Sequence, residues 1–173
     1  MRRLMLLRHA KAGPPGSPDI DRPLAARGRE AAPRIAAHLQ EEQLLPDLVL
    51  VSPSQRTRET WGLVQPLLGD TEAKFESRIY EASADNLLKL IRSVGPETRT
   101  LMVVGHNPGI QDLARFLVGY GDRYAFARMA QKYPTAGLAV IDFDADSWNA
   151  IGARGGRLDR FVTPNSLGAE EDD

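Results

Sequence analysis

The chain has 173 residues, enough for one domain with a sizeable core and short for two. Its 42% hydrophobic and 26% charged residues suit an ordinary globular protein, and 22 basic against 23 acidic residues exclude a global pull toward nucleic acid or anionic membrane. The absence of cysteine excludes disulfides, thiolate nucleophiles and cysteine-ligated metals.

The first element is the apolar run Leu4-Met5-Leu6-Leu7, which is too short for a helix and reads as a strand buried on both faces. It is equally too short for a signal-peptide core or a membrane span, so the cytoplasm is the default compartment. The run stops at Arg8 and His9, ahead of a loop over 13–23 rich in Gly, Pro and Asp. An alanine-rich helix is expected from Ala25 to Glu42, either kinked by Pro33 or starting near it. Leu48 to Val51 forms a second buried strand, ended by Ser52-Pro53. A helix over Ser54 to Leu68 follows, with Trp61 as a core candidate. Lys74 to Tyr80 reads as an extended piece leading directly to Glu81, and Ser83 as the N-cap of a helix bearing Leu87, Leu88, Leu90 and Ile91.

A third strand, Leu101 to Val104, runs into Gly105-His106-Asn107-Pro108-Gly109. Ile110 to Val118 reads as a helix containing core candidate Phe116 and stopped by Gly119. Tyr124 to Gln131 reads as another helix. Leu138 to Phe143 and Trp148 to Ile151 read as late strands, paired as a hairpin at a sheet edge, with Trp148 in packing. Residues 1–164 form the expected single domain, and 165–173 an acidic, frayed tail. Strands alternating with helices imply a three-layer α/β/α sandwich with a mainly parallel sheet.

Right-handed crossovers bring the ends of parallel strands to one sheet edge, where ligands bind in open α/β folds. Three such ends deliver Arg8 and His9, then Ser52 with Arg56 just past it, then His106. Two imidazoles and two guanidiniums without cysteine point to an anionic substrate. Guanidinium forks match phosphate oxygens, and a neutral imidazole can attack phosphorus to form a covalent phosphohistidine. The protein supplies the cation, so no metal and no cofactor are required. Zinc binding by the two histidines lacks a third ligand at metal-site spacing. A nucleophilic Ser52 or Ser54 lacks an orienting acid and an elbow motif. Any one strand-end His or Arg is more often structural; their coincidence at three strand ends favours a site. His38 reads as structural or exposed, and Lys11 as a surface residue near the pocket rim.

Leu7-Arg8-His9-Ala10, the segment Ser52-Pro53-Ser54-Gln55-Arg56 with Thr57 and Thr60, and Val104-Gly105-His106-Asn107 resemble the histidine phosphatase superfamily. Asp21-Arg22-Pro23-Leu24, with Gly28 after it, is similar to the small SixA-type phosphohistidine phosphatases. Ala10, where the broader superfamily usually has glycine, favours that branch. The resemblance implies a phosphoglycerate mutase-like fold without a cap domain. It makes His9 the phosphorylated nucleophile, with Arg8, Arg56 and His106 forming the phosphate pocket. Arg22 becomes a phosphate or substrate contact, and Glu81 a general acid whose bland alternative is a solvated glutamate. Ser52 either bonds near the phosphate or caps the next helix. The implied substrate is a phosphohistidine-bearing protein, with phosphorylated metabolites and a non-catalytic phosphate-binding module as alternatives. No nucleic-acid or membrane partner is implied, and the oligomeric state is left open. A neutral His9 is needed for attack, so activity should fall as it protonates below neutrality.

Overall fold

The computed structural model describes residues 1–16 and 18–168; the acidic end of the expected tail, 169–173, lies outside the described residues. Among the described residues seven strands form one sheet in the order β3-β2-β4-β1-β6-β7-β5. They are β1 (Arg2–Arg8), β2 (Leu48–Val51), β3 (Glu72–Phe75), β4 (Thr100–Gly105), β5 (Val118–Gly121), β6 (Leu138–Phe143) and β7 (Gly156–Val162). Pairing is parallel throughout β3-β2-β4-β1, antiparallel for β1-β6 and β6-β7, and parallel again for β7-β5. The α-helices among the described residues are α1 (Ala26–Glu41), α2 (Gln55–Val64), α3 (Ala84–Arg92), α4 (Gly109–Leu117) and α5 (Arg123–Gln131).

The apolar runs are continuous because both sheet faces are covered. Successive side chains point to opposite faces, so Leu4 and Leu6 join one core cluster with residues of α3, α4 and α5. Met5 and Leu7 join the other, against α1 and α2. Strands β2 and β4 split the same way: Leu101 and Val103 face the first cluster, Met102 and Val104 the second. This is the three-layer sandwich expected from the alternation of elements.

Helix α1 starts seven residues before Pro33 and runs through it. Buried Ala32, Ile35 and Ala36 on either side hold both turns against the sheet, which offsets the hydrogen bond that proline removes. Ser54 caps α2 by accepting from Thr57 N–H, and Ser83 caps α3 by accepting from Asn86 N–H.

Three segments differ from the sequence expectation. The extended piece placed over Lys74 to Tyr80 lies earlier, as the edge strand β3, and Ser77–Ile79 turns into a 3-10 segment that buries Ile79. Trp148 to Ile151 is not a strand: Trp148–Ala150 is a 3-10 turn in which Trp148 is fully buried and its indole N–H donates to Thr98 O at 2.7 Å. The hairpin partner of β6 is instead β7, whose Arg157 and Asp159 obscure an otherwise apolar alternation. Gly119 does not cap α4. It lies in β5 where a Cβ would come within 1.9 Å of Arg154 O, so glycine is required there by close approach of backbone. Phe116, expected in the core, is exposed. Asn165–Leu167, at the start of the expected tail, forms a turn fastened by hydrogen bonds between Thr163 and Ser166. Among the described residues no helix is long and apolar enough to cross a membrane.

The segment following His9 is laced to the approach to α1. Ala25 N–H donates to Lys11 O, Gly13 N–H donates to Pro23 O, and Ala12 bridges Leu24. Gly28 lets α1 lie directly on this segment, since a Cβ there would meet Lys11 O at 2.2 Å. Alanine in an open helix position is worth about 1 kcal/mol over glycine. Here the clash reverses the sign: Gly28→Ala is expected to cost about 2 kcal/mol or more in urea denaturation, because backbone must move.

Candidate active site

Strand order decides the site. β4 lies between β1 and β2, so the three chemistry-bearing ends are adjacent on one edge. The His9 and His106 rings stand 5.4 Å apart between centroids, tilted at 58°. Arg56 is buried at the first turn of α2, and Arg8 is half-buried at the end of β1. An open cleft of about 500 Å³ is lined by Asp19, Arg56, Tyr80, Glu81, His106 and Asn107, among others.

His9 is buried, and its Nδ1 lies 2.8 Å from the Ala10 carbonyl. A carbonyl only accepts, so Nδ1 carries the proton and Nε2 keeps its lone pair. The Ala10 amide donates to Thr60 Oγ1 at 3.0 Å, and that hydroxyl donates to Arg56 O at 2.8 Å. One threonine on α2 therefore ties the His9 loop to the backbone of Arg56. Burial, reinforced by His106, Arg8 and Arg56, lowers the His9 pKa to about 3 despite the opposing bond to Ala10. Burial next to Arg56 and Arg8 likewise lowers His106 to about 4. Both imidazoles are neutral at physiological pH. The fall in activity expected as His9 protonates below neutrality is accordingly expected near its lowered pKa.

His106 Nε2 lies 2.8 Å from Ser52 Oγ, which is fully buried. Ser52 thus supports the histidine, and Ser54, not Ser52, caps α2. His106 Nδ1 is buried and has no hydrogen-bond partner among the described residues.

Arg56 Nη1 donates to Asp19 O at 3.0 Å and Nη2 pairs with Asp19 Oδ2 at 3.1 Å. Arg22 Nε donates to Gly13 O at 2.7 Å, and its Nη1 faces Asp19 Oδ1 at 3.8 Å. It therefore touches the cleft through Asp19. Glu81 is exposed at the cleft, with a left-handed φ of 58° that turns the chain toward α3. His38 is half-buried on α1, away from these strand ends.

Sequence reasoning passed over Tyr133. Its carbonyl accepts from Arg8 Nη1 at 2.9 Å and from Asn107 Nδ2 at 3.1 Å. Its fully buried hydroxyl donates to Leu6 O and accepts from Ala139 N–H. Three residues on, Ala136 N–H is shared between the carbonyls of His9 and Arg8. One turn before β6 thus holds both the end of β1 and the His106 loop. Its sequence, Tyr133-Pro134-Thr135-Ala136-Gly137, signals only a turn. Asp19 and Tyr80 were missed too, because a loop aspartate and a lone tyrosine carry no periodic signal.

The profile described as histidine phosphatase superfamily (branch 1) matches residues 4–90. An uncharacterized protein of Mycobacterium tuberculosis is 36% identical over 138 residues, spanning 78% of this chain and 85% of the relative. The solved SixA structure from Agrobacterium tumefaciens superposes with a TM-score of 0.79 at 31% identity, covering 94% of this chain and 98% of that one. SixA from Nakamurella multipartitia gives 0.78 at 26% identity, covering 94% and 96%. With its profile, its relatives and its phosphoglycerate mutase-like fold in agreement, the chain belongs to the histidine phosphatase superfamily, branch 1.

Proposed function

We propose that the chain hydrolyses protein phosphohistidine through a phosphoryl intermediate on His9. The observation that carries this reading is the His9 ring itself. It is neutral, its Nδ1–H is pinned to Ala10 O, and it is set against His106 and two guanidiniums at one sheet edge. Nε2 attacks phosphorus while Arg8, Arg56 and His106 hold the phosphoryl oxygens as charge develops. Water then attacks phospho-His9, the P–N electron pair returns to Nε2, and phosphate leaves as the dihydrogen anion, carrying both protons of the water. Arg22 steadies the loop that carries Asp19, and Ser52 orients His106. The guanidiniums supply the positive charge, so the scheme assigns no metal and no cofactor. The open cleft suits a phosphoryl group presented on a protein surface, and the two SixA structures carry a name given to phosphohistidine phosphatases.

A second reading, hydrolysis of small phosphate esters, is favoured by Glu81 at the cleft, where it would protonate a leaving alkoxide. An imidazole leaving group, with a pKa of about 6.5, needs far less help. Glu81→Gln is expected to lower kcat/KM for glycerol 1-phosphate about 100-fold while changing that for a phosphohistidine peptide less than about threefold. A wild type faster on the ester would establish the second reading. Equal losses on both donors would refute the leaving-group distinction.

A further inference from the structure

Phosphoryl transfer to His9 needs positive charge around phosphorus, yet Asp19 places a carboxylate there. Its Oδ2 is held from two sides, by Arg56 Nη2 at 3.1 Å and by the Tyr80 hydroxyl, which donates to it at 2.6 Å. Tyr80 packs edge-on against His106, with centroids 5.5 Å apart. The Asp19 side chain is 52% exposed and lines the same cleft as Arg56 and His106. Holding Arg56 in place does not require this charge, because the Asp19 backbone carbonyl already accepts from Nη1 at 3.0 Å. Two of the five guanidinium donors are used by Asp19, which leaves three for phosphoryl oxygens. An arriving phosphate dianion therefore shares its arginine with a fixed negative charge. A substrate with a cation next to the phosphoryl group meets that charge as a partner.

We propose that Asp19 is a specificity-determining residue that selects phosphoryl donors whose leaving group is positively charged, the protonated ring of a phosphohistidine being the prime class. The inference rests on the phosphohistidine reading above and adds the recognition element. In the transfer, a bond forms between His9 Nε2 and phosphorus as the substrate P–N bond breaks, its electron pair going to the substrate nitrogen. The substrate ring enters as an imidazolium with N–H on its other nitrogen, donated to Asp19. It leaves as a neutral imidazole with that proton still in place. Positive charge passes to His9, whose Nδ1–H stays on Ala10 O. No proton has to move. An anion close by favours the protonated form of the ring, the form that leaves readily. Asp19 is itself no proton donor, because the Tyr80 bond and Arg56 keep its carboxyl below the usual range.

The test is Asp19→Asn in the full chain. kcat/KM for a phosphohistidine peptide is expected to fall about tenfold or more, as for loss of a hydrogen bond to a charged group. kcat/KM for glycerol 1-phosphate is expected to rise, and inhibition by inorganic phosphate to tighten about tenfold, as a like charge is removed. Parallel losses on both donors with weaker phosphate binding would overturn the proposal and leave Asp19 a support for Arg56. Should the wild type prove inactive on phosphohistidine, the underlying reading fails, but Asp19 is still judged by phosphoethanolamine against glycerol 1-phosphate. A fall in that ratio in Asp19→Asn supports charge selection, and an unchanged ratio refutes it.

Discussion

His9→Ala is expected to lower turnover by about 10⁴-fold or more on any phosphoryl donor, the scale seen when a covalent nucleophile is removed. The side chain is the only protein group in the scheme that bonds to phosphorus, and its Nε2 is kept unprotonated by the Nδ1–H bond to Ala10. Arg8, Arg56 and His106 are left in place, so inorganic phosphate should still bind and protect the variant from thermal unfolding. Rapid acid-free quenching with a labelled donor should trap phosphoryl on wild-type His9 as an acid-labile, base-stable adduct, and none on the variant. A variant retaining a tenth of the activity would remove His9 from the nucleophile's role.

Acidification is expected to destabilise the fold well before it protonates the site. The His9 and His106 pKa values, lowered to about 3 and about 4, lie below the value of about 6.5 for an unfolded imidazole. As pH falls through 6.5 the unfolded chain takes up protons that the folded site refuses, so stability declines, and the decline stops only below the folded values. At pH 5 each imidazole accounts for roughly 2 kcal/mol, and the pair roughly 4 kcal/mol, of lost stability relative to pH 8. Urea denaturation at both pH values checks this, with His9→Ala as the internal control. Carboxylates titrate alike in both proteins, so the variant should lose about 2 kcal/mol less than wild type. Identical losses would mean that His9 is not neutral by burial. The same depressed value keeps the His9 ring neutral through pH 5, so an acid limb in kcat/KM near neutrality is expected to belong to the substrate.

The two effects have one origin. Burying two imidazoles beside two guanidiniums costs stability, and it is what makes an uncharged ring available next to a phosphoryl group. The cost is carried by scaffolding that makes no contact with substrate in the scheme. Thr60 spans Ala10 and Arg56, Ser52 holds His106, and the turn at Tyr133 and Ala136 fastens Arg8, His9 and Asn107. Activity should therefore be sensitive to substitutions, such as Gly28→Ala, that shift this backbone without touching a reacting atom.

The apolar runs at 4–7, 48–51 and 101–104 determined by themselves that three strands are buried on both faces, because no other short element hides consecutive Leu and Val side chains from water. Residues at the polar ends of such runs lie at a sheet edge, so His9, Arg56 and His106 were legible as a set. Ser83 was legible as a helix cap. What the sequence could not decide is whatever depends on long-range contact. Trp148 leaves the strand pattern because its indole N–H finds Thr98 O, and β7 is a strand because β6 pairs with it despite its charges. Asp19, Tyr80 and Tyr133 acquire their places only when distant loops meet. Hydrophobic periodicity is written into neighbouring residues, whereas a hydrogen bond across more than sixty positions, as between Tyr80 and Asp19, exists only once the chain has closed.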